Sequence, residues 1–172
     1  MKTADLCDAI DAVEACTSQF RSFGRRRSFA GPIRTVRCFE DIAQMRERVH
    51  EPGDHAVLVV DGGGSLERAI FGDTMAELTM RNGWAGVIVY GAIRDVAEID
   101  AMDIGVKGLG TVSKRGERRG GGALDVAVTF GGVTFVPGRY VVADDDGVIV
   151  LPEGVTPSSV VIDAHAAAEA YR

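Results

Sequence analysis

Two short stretches carry the residue types best suited to chemistry. The first, Gly72–Met75 (GDTM), opens a helical pattern, so its backbone N–H groups and the positive end of the helix dipole could receive a small anion such as a carboxylate. The second is the pair Arg94-Asp95. Its guanidinium can hold a carboxylate through two hydrogen bonds, and its carboxylate is a hard ligand for Mg²⁺. Together these types suggest the binding of a carboxylic acid beside a divalent metal.

The first stretch depends on where a helix begins. Thr74-x-x-Glu77 has the form of a capping box, and Gly83 is a plausible helix stop, which together predict a helix of about nine residues beginning beside Asp73. Every helix has such an end. The pattern alone therefore leaves an ordinary capped helix open as the alternative to an anion site.

The second stretch depends on a strand. Val87–Tyr90 (VIVY) has the continuous apolar pattern of a buried strand, so Arg94 and Asp95 should lie just beyond a strand's C-terminal end. Open α/β sheets usually bind their ligands at that position. The alternative left open is a local ion pair, with Asp95 capping a short helix over VAEIDAM.

The segments before these stretches alternate between helical and strand patterns, which indicates an α/β protein. We expect an amphipathic helix over residues 3–17, a strand over Ile33–Cys38, a second helix over Glu40–His50 and a buried strand over Ala56–Val60. The glycine-rich segment after this last strand has neither G-x-G-x-x-G nor G-K-[S/T], which argues against a nucleotide site.

The segments after Asp95 turn from mixed to β patterns. GVKGLG predicts a short strand, and the basic, glycine-rich loop Ser113–Gly122 is expected to be mobile. Strands over VAVTFGG, VTFVPGRYVVAD and GVIVLPE are separated by glycine-containing turns, and the Asp144–Asp146 run fits a turn better than a calcium loop. A final helix is predicted from Pro157, over residues 157–172.

Composition excludes several classes of function. The chain has 172 residues, enough for one domain, and a net charge of −6, which argues against broad binding of nucleic acid. No apolar run approaches membrane-spanning length, and the N-terminus carries acids where a signal peptide needs basic residues, so we expect a cytoplasmic protein without a membrane partner.

Cysteine and histidine usage narrows the metal chemistry. The three cysteines form no C-x-x-C pattern and are odd in number, so we expect buried free thiols and no disulfide framework. The three histidines form no H-x-x-x-H pair, which argues against a zinc or copper site. Oxygen ligands remain, and they favour Mg²⁺ or Mn²⁺.

Several long segments, in order, resemble the RraA family, which contains the regulator of ribonuclease E activity and whose fold the class II 4-hydroxy-4-methyl-2-oxoglutarate aldolases share. The resemblance covers roughly residues 5–152, and the segments are SFAGPIRTVRCFED, VLVVDGGGSLERA, GWAGVIVYGAIRDV, DIGVKGLGT, FGGVTFVPG and ADDDGVIV. It implies an α/β fold of the swivelling β/β/α kind, in one domain over residues 1–172, with a glycine-rich sheet core and flanking helices. It also implies a homotrimer, or a hexamer of paired trimers, with sites near subunit boundaries.

The resemblance also assigns roles. The aldolase branch builds its site from a G-D-x-x turn and an R-D pair, which match Gly72–Met75 and Arg94-Asp95 here. The residues implied to bind a 2-oxo acid are Gly72, Asp73, Thr74, Met75 and Arg94; the catalytic ones are Asp73, Arg94 and Asp95, with Asp95 as ligand to the divalent metal. Asp73 would orient a water for proton transfer.

Two functions follow from the resemblance. The first is a metal-dependent lyase that cleaves 4-hydroxy-4-methyl-2-oxoglutarate and decarboxylates oxaloacetate through a shared pyruvate enolate. The second is a protein that binds ribonuclease E and inhibits RNA processing. Asp95 favours the enzyme, because members best described as regulators can lack this acid. One departure is Phe23-Gly24-Arg25-Arg26, where the family often has F-G-G-R, so we expect the local loop to differ from the family's.

Overall fold

The computed structural model describes residues 2–159 and contains helices on one side of a mixed sheet. The helices are α1 (Thr3–Ala9), α2 (Ala43–His50), α3 (Asp73–Arg81) and α4 (Val96–Asp100), with a 3₁₀ turn at Pro157–Ser159. The strands are β1 (Glu14–Ala15), β2 (Arg21–Phe23), β3 (Phe29–Arg37), β4 (Val57–Asp61), β5 (Ala69–Phe71), β6 (Gly86–Ile93), β7 (Val106–Thr111), β8 (Ala123–Leu124), β9 (Val128–Phe130), β10 (Val133–Phe135), β11 (Tyr140–Ala143) and β12 (Val148–Val150).

The centre of the sheet is parallel. Its main path runs β1-β12-β11-β3-β4-β6-β7-β2, in which β3, β4, β6 and β7 are parallel neighbours, while β11, β12, β1 and β2 join antiparallel. The short strand β5 pairs in parallel with the last part of β6, with Phe71 opposite Ile93. This pairing aligns the ends of β5 and β6, and therefore the residues that follow each strand.

Both faces of the parallel strands are buried, which explains their continuous apolar sequences. In β4, Leu58 and Val60 pack in a core that includes side chains of α2, α3 and α4. Val57 and Val59, on the opposite face, pack in a second core with the β9–β10 hairpin, β11 and β12. The α/β class predicted from the sequence is confirmed, and helices α2–α4 lie on the face that also carries the candidate site.

The N-terminal helix is shorter than predicted. It ends at Ala9 instead of residue 17, and Glu14 then pairs with Val150 to add strand β1 beside β12. The carboxylate of Asp144 accepts hydrogen bonds from the Thr3 N–H and hydroxyl groups, both at 2.7 Å. The helix predicted from periodicity is too long at its C-terminal end, because pairing with β12 outcompetes the local preference for a helix.

Other boundaries move for similar reasons. Strand β3 begins at Phe29, before the predicted Ile33, because its first half pairs with β11. Helix α2 begins at Ala43, three residues after the predicted Glu40. The Asp144–Asp146 run is a turn, as predicted, and joins β11 to β12.

Three further expectations have different outcomes. The cysteines are free, but only Cys38 is buried, whereas Cys7 is exposed and Cys16 is half-buried. Burial is the largest cause that raises the pKa of the Cys38 thiol to about 12, and the nearby acids Asp41 and Asp61 raise it further.

The predicted C-terminal helix lies almost wholly outside the described residues. Between residues 2 and 159, no helix is long and apolar enough to cross a membrane.

Candidate functional site

A cavity of about 210 Å³ lies where α2, the start of α3, the β6–α4 turn and the loop after β7 meet. Its apolar wall is formed by Ile42, Val49, Ala69, Ile70, Phe71, Met75 and Leu78. Its polar and backbone groups come from Arg46, His50, Gly72, Asp73, Thr74, Arg94, Asp95, Arg115 and Arg118. All six residues singled out in the sequence, Gly72–Met75, Arg94 and Asp95, therefore line one cavity.

The two predicted stretches meet because the strands before them are paired. Strand β5 ends at Phe71 and β6 ends at Ile93, and the N–H of Arg94 donates to the carbonyl of Phe71 at 3.0 Å. A β-carbon built on Gly72 would lie 2.7 Å from Asp95 Oδ2 and 3.4 Å from Arg94 Cγ. Glycine at position 72 therefore allows the Arg94-Asp95 turn to approach the start of α3.

The start of α3 differs in detail from the predicted capping box. Gly72 is the N-cap, Asp73 is the first helical residue, and Thr74 lies inside the helix with no side-chain cap. Asp73 Oδ1 accepts the Thr74 N–H at 2.6 Å, whereas Glu77 forms an ion pair with Arg81 at 2.6 Å. The capping-box prediction was wrong because Asp73 can reach the adjacent N–H and Glu77 has a cation one turn away.

This arrangement leaves the helix start partly free. The Ala76 N–H donates to the Gly72 carbonyl, as expected for the first turn. Within residues 2–159, the hydrogen bonds include no acceptor for the N–H groups of Asp73 and Met75. Two backbone donors and the positive end of the α3 dipole are thus available to an anion in the cavity.

The Arg94-Asp95 turn contains the local ion pair that the sequence left open as an alternative, and its role as a ligand site stays a prediction. Arg94 Nε lies 3.2 Å from Asp95 Oδ2, so the local ion pair exists. Asp95 is the N-cap residue of α4, but its carboxylate makes no capping hydrogen bond. Its backbone is left-handed, with φ 57° and ψ 42°, a conformation that is sparsely populated by non-glycine residues and that aspartate tolerates better than most. The carboxylate is therefore turned toward Gly72 and the cavity.

The sequence prediction missed the cationic mouth of the cavity. Arg46 and His50 come from α2, and Arg115 and Arg118 come from the loop Ser113–Gly122. All four of these side chains are exposed, whereas Arg94, Asp95 and Asp73 are half-buried. The composition of the loop was a visible signal, but nothing in the sequence showed that it returns to the cavity.

That loop makes backbone hydrogen bonds to neighbouring segments, and its predicted mobility stays a prediction. The Gly116 N–H donates to Ala69, the Glu117 N–H to Glu40, and the Ile42 N–H to Glu117, each at 2.8 Å. These bonds attach the loop to the first residue of β5 and to the segment before α2. They hold Arg115 and Arg118 at the cavity.

Asp41 is the main side-chain anchor of the loop. One of its oxygens accepts the Ala43 N–H at 2.8 Å, and the other accepts the N–H groups of Arg119 and Gly121 at 2.9 and 3.1 Å. Burial by itself would raise the pKa of the Asp41 carboxyl group, but the backbone N–H donors outweigh it and hold the pKa below its ordinary value. The Asp41 carboxylate is therefore charged, and its hydrogen bonds connect the start of α2 to the loop.

The donor set fits only a water-rich metal site. No group of three or more His, Cys, Asp or Glu side chains in the described part of the chain could form a metal cage. The cavity contains Asp95, with its second oxygen free of protein partners among these residues, and Asp73. One or two carboxylates suffice for Mg²⁺, which keeps several waters and takes further oxygens from its substrate.

Comparisons with known proteins agree on the family but differ in the activities they name. Residues 3–150 match the family described as RraA-like, Aldolase/RraA. A Pseudomonas aeruginosa protein named "Putative 4-hydroxy-4-methyl-2-oxoglutarate aldolase" is 51% identical over 154 residues, which are 89% of this chain and 95% of that protein.

Two solved structures are similar over most of the chain. The RNA-processing inhibitor RraA from Thermus thermophilis has a TM-score of 0.88 and 42% identity, covering 92% of this chain and 97% of that one. A Geobacillus kaustophilus protein described as an S-adenosylmethionine:2-dimethylmenaquinone methyltransferase has a TM-score of 0.84 and 50% identity, covering 87% and 94%.

Proposed function

The chain belongs to the Aldolase/RraA family, and on that premise we propose that it is a divalent-metal-dependent carbon–carbon lyase acting on 2-oxo acids. The proposed reactions are cleavage of 4-hydroxy-4-methyl-2-oxoglutarate to pyruvate and decarboxylation of oxaloacetate. Because the relatives carry different names, the choice rests on one observation. The start of α3, Arg94 and Asp95 converge on a single cavity.

In the proposed complex, the 1-carboxylate of the substrate lies against the N–H groups of Asp73 and Met75 and beside Arg94. A Mg²⁺ or Mn²⁺ ion held by Asp95 supplies Lewis-acid polarisation of the 2-oxo group when bound. When the C3–C4 bond breaks, its electron pair moves to C3 and the 2-oxo oxygen, giving the enolate of pyruvate. Arg94 stabilises the negative charge that develops on this oxygen.

Proton transfer is assigned to Asp73 and water. In aldol cleavage the C4 hydroxyl loses a proton as its carbon becomes a carbonyl, and C3 gains a proton to complete the first pyruvate. In decarboxylation C4 leaves as CO₂ and only the second transfer is needed. Asp73 lines the cavity and is half-buried, which supports a role in orienting the water that takes part. No lysine is among the described residues that line the cavity, which favours the metal route over a Schiff base.

The test is turnover of oxaloacetate by purified protein with Mg²⁺ or Mn²⁺. We expect activity with either metal, its loss in EDTA, and its abolition in Asp95→Ala and Arg94→Gln. Asp103→Ala is the matched control, because Asp103 pairs with Arg26 at 3.1 Å in an exposed ion pair and neither residue lines the cavity. Equal activity in Asp95→Ala and the parent, or no activity with any divalent metal, contradicts the proposal.

The regulator function is the second candidate, favoured by the similarity to the Thermus inhibitor over 92% of this chain. We propose that it would act through charge complementarity between this acidic chain and an arginine-rich segment of a ribonuclease E. Retention of such a segment in a pull-down at low salt, and its release at high salt, is the expected result. Failure to retain it at low salt removes this candidate.

The trimeric or hexameric assembly and the cytoplasmic location stay predictions.

A further inference from the structure

Arg68 does not line the cavity, but its side chain connects segments that do. Its Nη1 donates to the carbonyl of Arg115 at 3.2 Å, and its Nη2 lies 3.0 Å from Glu117 Oε1. Its Nε lies 3.7 Å from Glu40 Oε2. Arg68 itself immediately precedes β5. One planar guanidinium group therefore joins the start of β5, the segment before α2 and the loop Ser113–Gly122.

Backbone hydrogen bonds align the same loop with the first residue of β5. The Ala69 N–H donates to the carbonyl of Lys114, and the Gly116 N–H donates to the carbonyl of Ala69, each at 2.8 Å. The carbonyl of Arg115 lies between these two bonds along the loop and accepts the side chain of Arg68. Arg68 therefore adds a side-chain contact at the centre of the paired segment.

The glycine-rich segment after β4 reaches this network through Ser65. Its hydroxyl group donates to Glu40 Oε1 at 2.7 Å, and its carbonyl accepts the Ala92 N–H of β6 at 3.0 Å. Ala92 lies two residues before Arg94 in the chain. Glu40 has a left-handed backbone, with φ 54°, which residues other than glycine adopt only sparsely. The Glu40 carboxylate thus connects Arg68 to the last part of β6.

The loop also contacts the guanidinium group of Arg94. Arg94 Nη1 lies 3.5 Å from the carbonyl of Ser113, two residues before Arg115, and the Val112 N–H donates to the carbonyl of Ile93 at 3.1 Å. The Arg94 contact is at the outer limit of hydrogen-bond length. A small displacement of the loop would therefore remove the acceptor on Arg94.

We propose that Arg68 is a positioning residue for the candidate site, acting through the loop Ser113–Gly122 on the guanidinium group of Arg94. This inference rests on the proposed function for the role of Arg94 in holding the substrate's carboxylate. Arginine suits the position because its fork presents three nitrogens in fixed directions, whereas lysine presents one. A misplacement of about 1 Å in a group that orients the substrate can cost about 100-fold in rate.

The first experiment measures pyruvate binding in the presence of Mg²⁺ and needs no turnover. Ligand-observed NMR measures weak affinities, and we expect Arg68→Met to bind pyruvate about tenfold more weakly than the parent. In an Arg94→Gln background, which lacks the group through which Arg68 acts, the same substitution should change the affinity by less than about twofold. A role in stability alone predicts the same loss in both backgrounds. Equal losses in both, or unchanged affinity in Arg68→Met, overturns the inference.

Arg119→Met is the matched control. Its side chain is 75% exposed, pairs with the carboxylate of Glu117 from the same loop, and does not line the cavity. It loses the same charge as Arg68→Met but keeps the contact between Arg68 and the Arg115 carbonyl, so its affinity should stay within about twofold of the parent's. A loss equal to that in Arg68→Met contradicts the inference.

Arg68→Lys is the second variant, and urea unfolding shows whether each variant is folded. Lysine keeps a positive charge beside Glu40 and Glu117, so this variant decides the question if Arg68→Met does not fold. Because its single nitrogen cannot replace the three-way contact of the guanidinium group, we expect it to bind pyruvate at least about fivefold more weakly than the parent. Parent-like binding in Arg68→Lys overturns the inference.

The second experiment separates this inference from the proposed function by measuring oxaloacetate turnover with Mg²⁺. Arg68→Met should lower kcat/KM at least about tenfold. A parent that binds pyruvate and shows the background-dependent loss, but turns over no oxaloacetate, retains the positioning role and loses the lyase. A parent that is active, with the same kcat/KM as Arg68→Met, retains the lyase and loses the positioning role. A parent with neither binding nor turnover loses both.

Discussion

Asp95 and Asp125 are two arginine-paired aspartates with similar local geometry and different surroundings. Both have left-handed backbones, with φ values of 57° and 51°, and both side chains are about one-third exposed, at 32% and 39%. Asp125 accepts Arg34 through both oxygens at 2.9 and 3.0 Å and Arg48 at 2.7 Å. Asp95 contacts one nitrogen of Arg94 through one oxygen, at 3.2 Å.

The difference separates a carboxylate whose partners lie within the fold from one that has an oxygen left for a ligand. Around Asp125, the positive Arg34 and Arg48 are balanced by Asp125 and Glu51, and the 2%-exposed Arg48 connects α2 to the segment after β8. Around Asp95, the cavity has surplus arginines and a carboxylate with a free oxygen. Charges that satisfy one another stabilise the fold, whereas charges left incompletely paired at a cavity are available to a ligand.

The same substitution at both positions should give opposite results. Asp95→Asn should lower kcat/KM for oxaloacetate by about 1,000-fold and change the free energy of unfolding by less than about 1 kcal/mol, because its ion pair is partly solvated. Asp125→Asn should leave kcat/KM within about twofold and lower the free energy of unfolding by about 1–2 kcal/mol. Asparagine tolerates the left-handed backbone at both positions, so neither substitution should add backbone strain to the measured free energy of unfolding.

Steady-state kinetics and urea unfolding at fixed protein concentration measure both quantities. A loss of stability in Asp95→Asn equal to that in Asp125→Asn would make Asp95 structural as well. The comparison would then fail.

Gly72→Ala tests how closely the two site turns must approach. The added methyl group would lie 2.7 Å from Asp95 Oδ2, and since a side chain can rotate away, the carboxylate should move with little cost in stability. We expect kcat/KM to fall about 10- to 100-fold. Gly147→Ala, where nothing lies within 4 Å of the new methyl group, should be neutral. Parent-like activity in Gly72→Ala would show that the position of Asp95 does not matter.

Asp41→Asn tests whether the loop is held in place by charge. An amide can accept fewer of the three N–H groups that Asp41 binds, from Ala43, Arg119 and Gly121, so the loop should loosen. We expect amide hydrogen exchange in the loop Ser113–Gly122 to become about five- to tenfold faster, with exchange in β6 unchanged. Hydrogen exchange followed by mass spectrometry measures both segments. Unchanged exchange in the loop would mean that backbone hydrogen bonds alone hold it.

The pH dependence of stability gives the smallest effect. The pKa of Asp41 in the folded protein lies below its ordinary value of about 3.9, so its contribution is complete above about pH 4 and is lost as the pH falls through the depressed pKa. The difference in unfolding free energy between the parent and Asp41→Asn should be constant from pH 5 to 7 and shrink below about pH 4. A difference that grows on acidification contradicts this assignment.

Sequence reasoning predicted most of the elements but was weaker where pairing overrides local pattern. The buried strands β4 and β6 and the helix α3 stand out, because their apolar residues are continuous or periodic over several residues. The three-residue strand β5 and the strand β1 carry too little pattern to be recognised, since each forms only by adding to an existing neighbour. The capping box at Thr74 was wrong because nearby side chains provided competing partners.

The sequence by itself determined that a helix begins beside Gly72 and that an arginine beside an acid follows a buried strand. Both are local properties of residue type and spacing. Only the tertiary structure decided that they meet, because the parallel pairing of Phe71 with Ile93 brings the following residues together. It also decided that Arg115 and Arg118 join them, because a carboxylate at Asp41, distant in the chain, accepts the N–H groups of their loop.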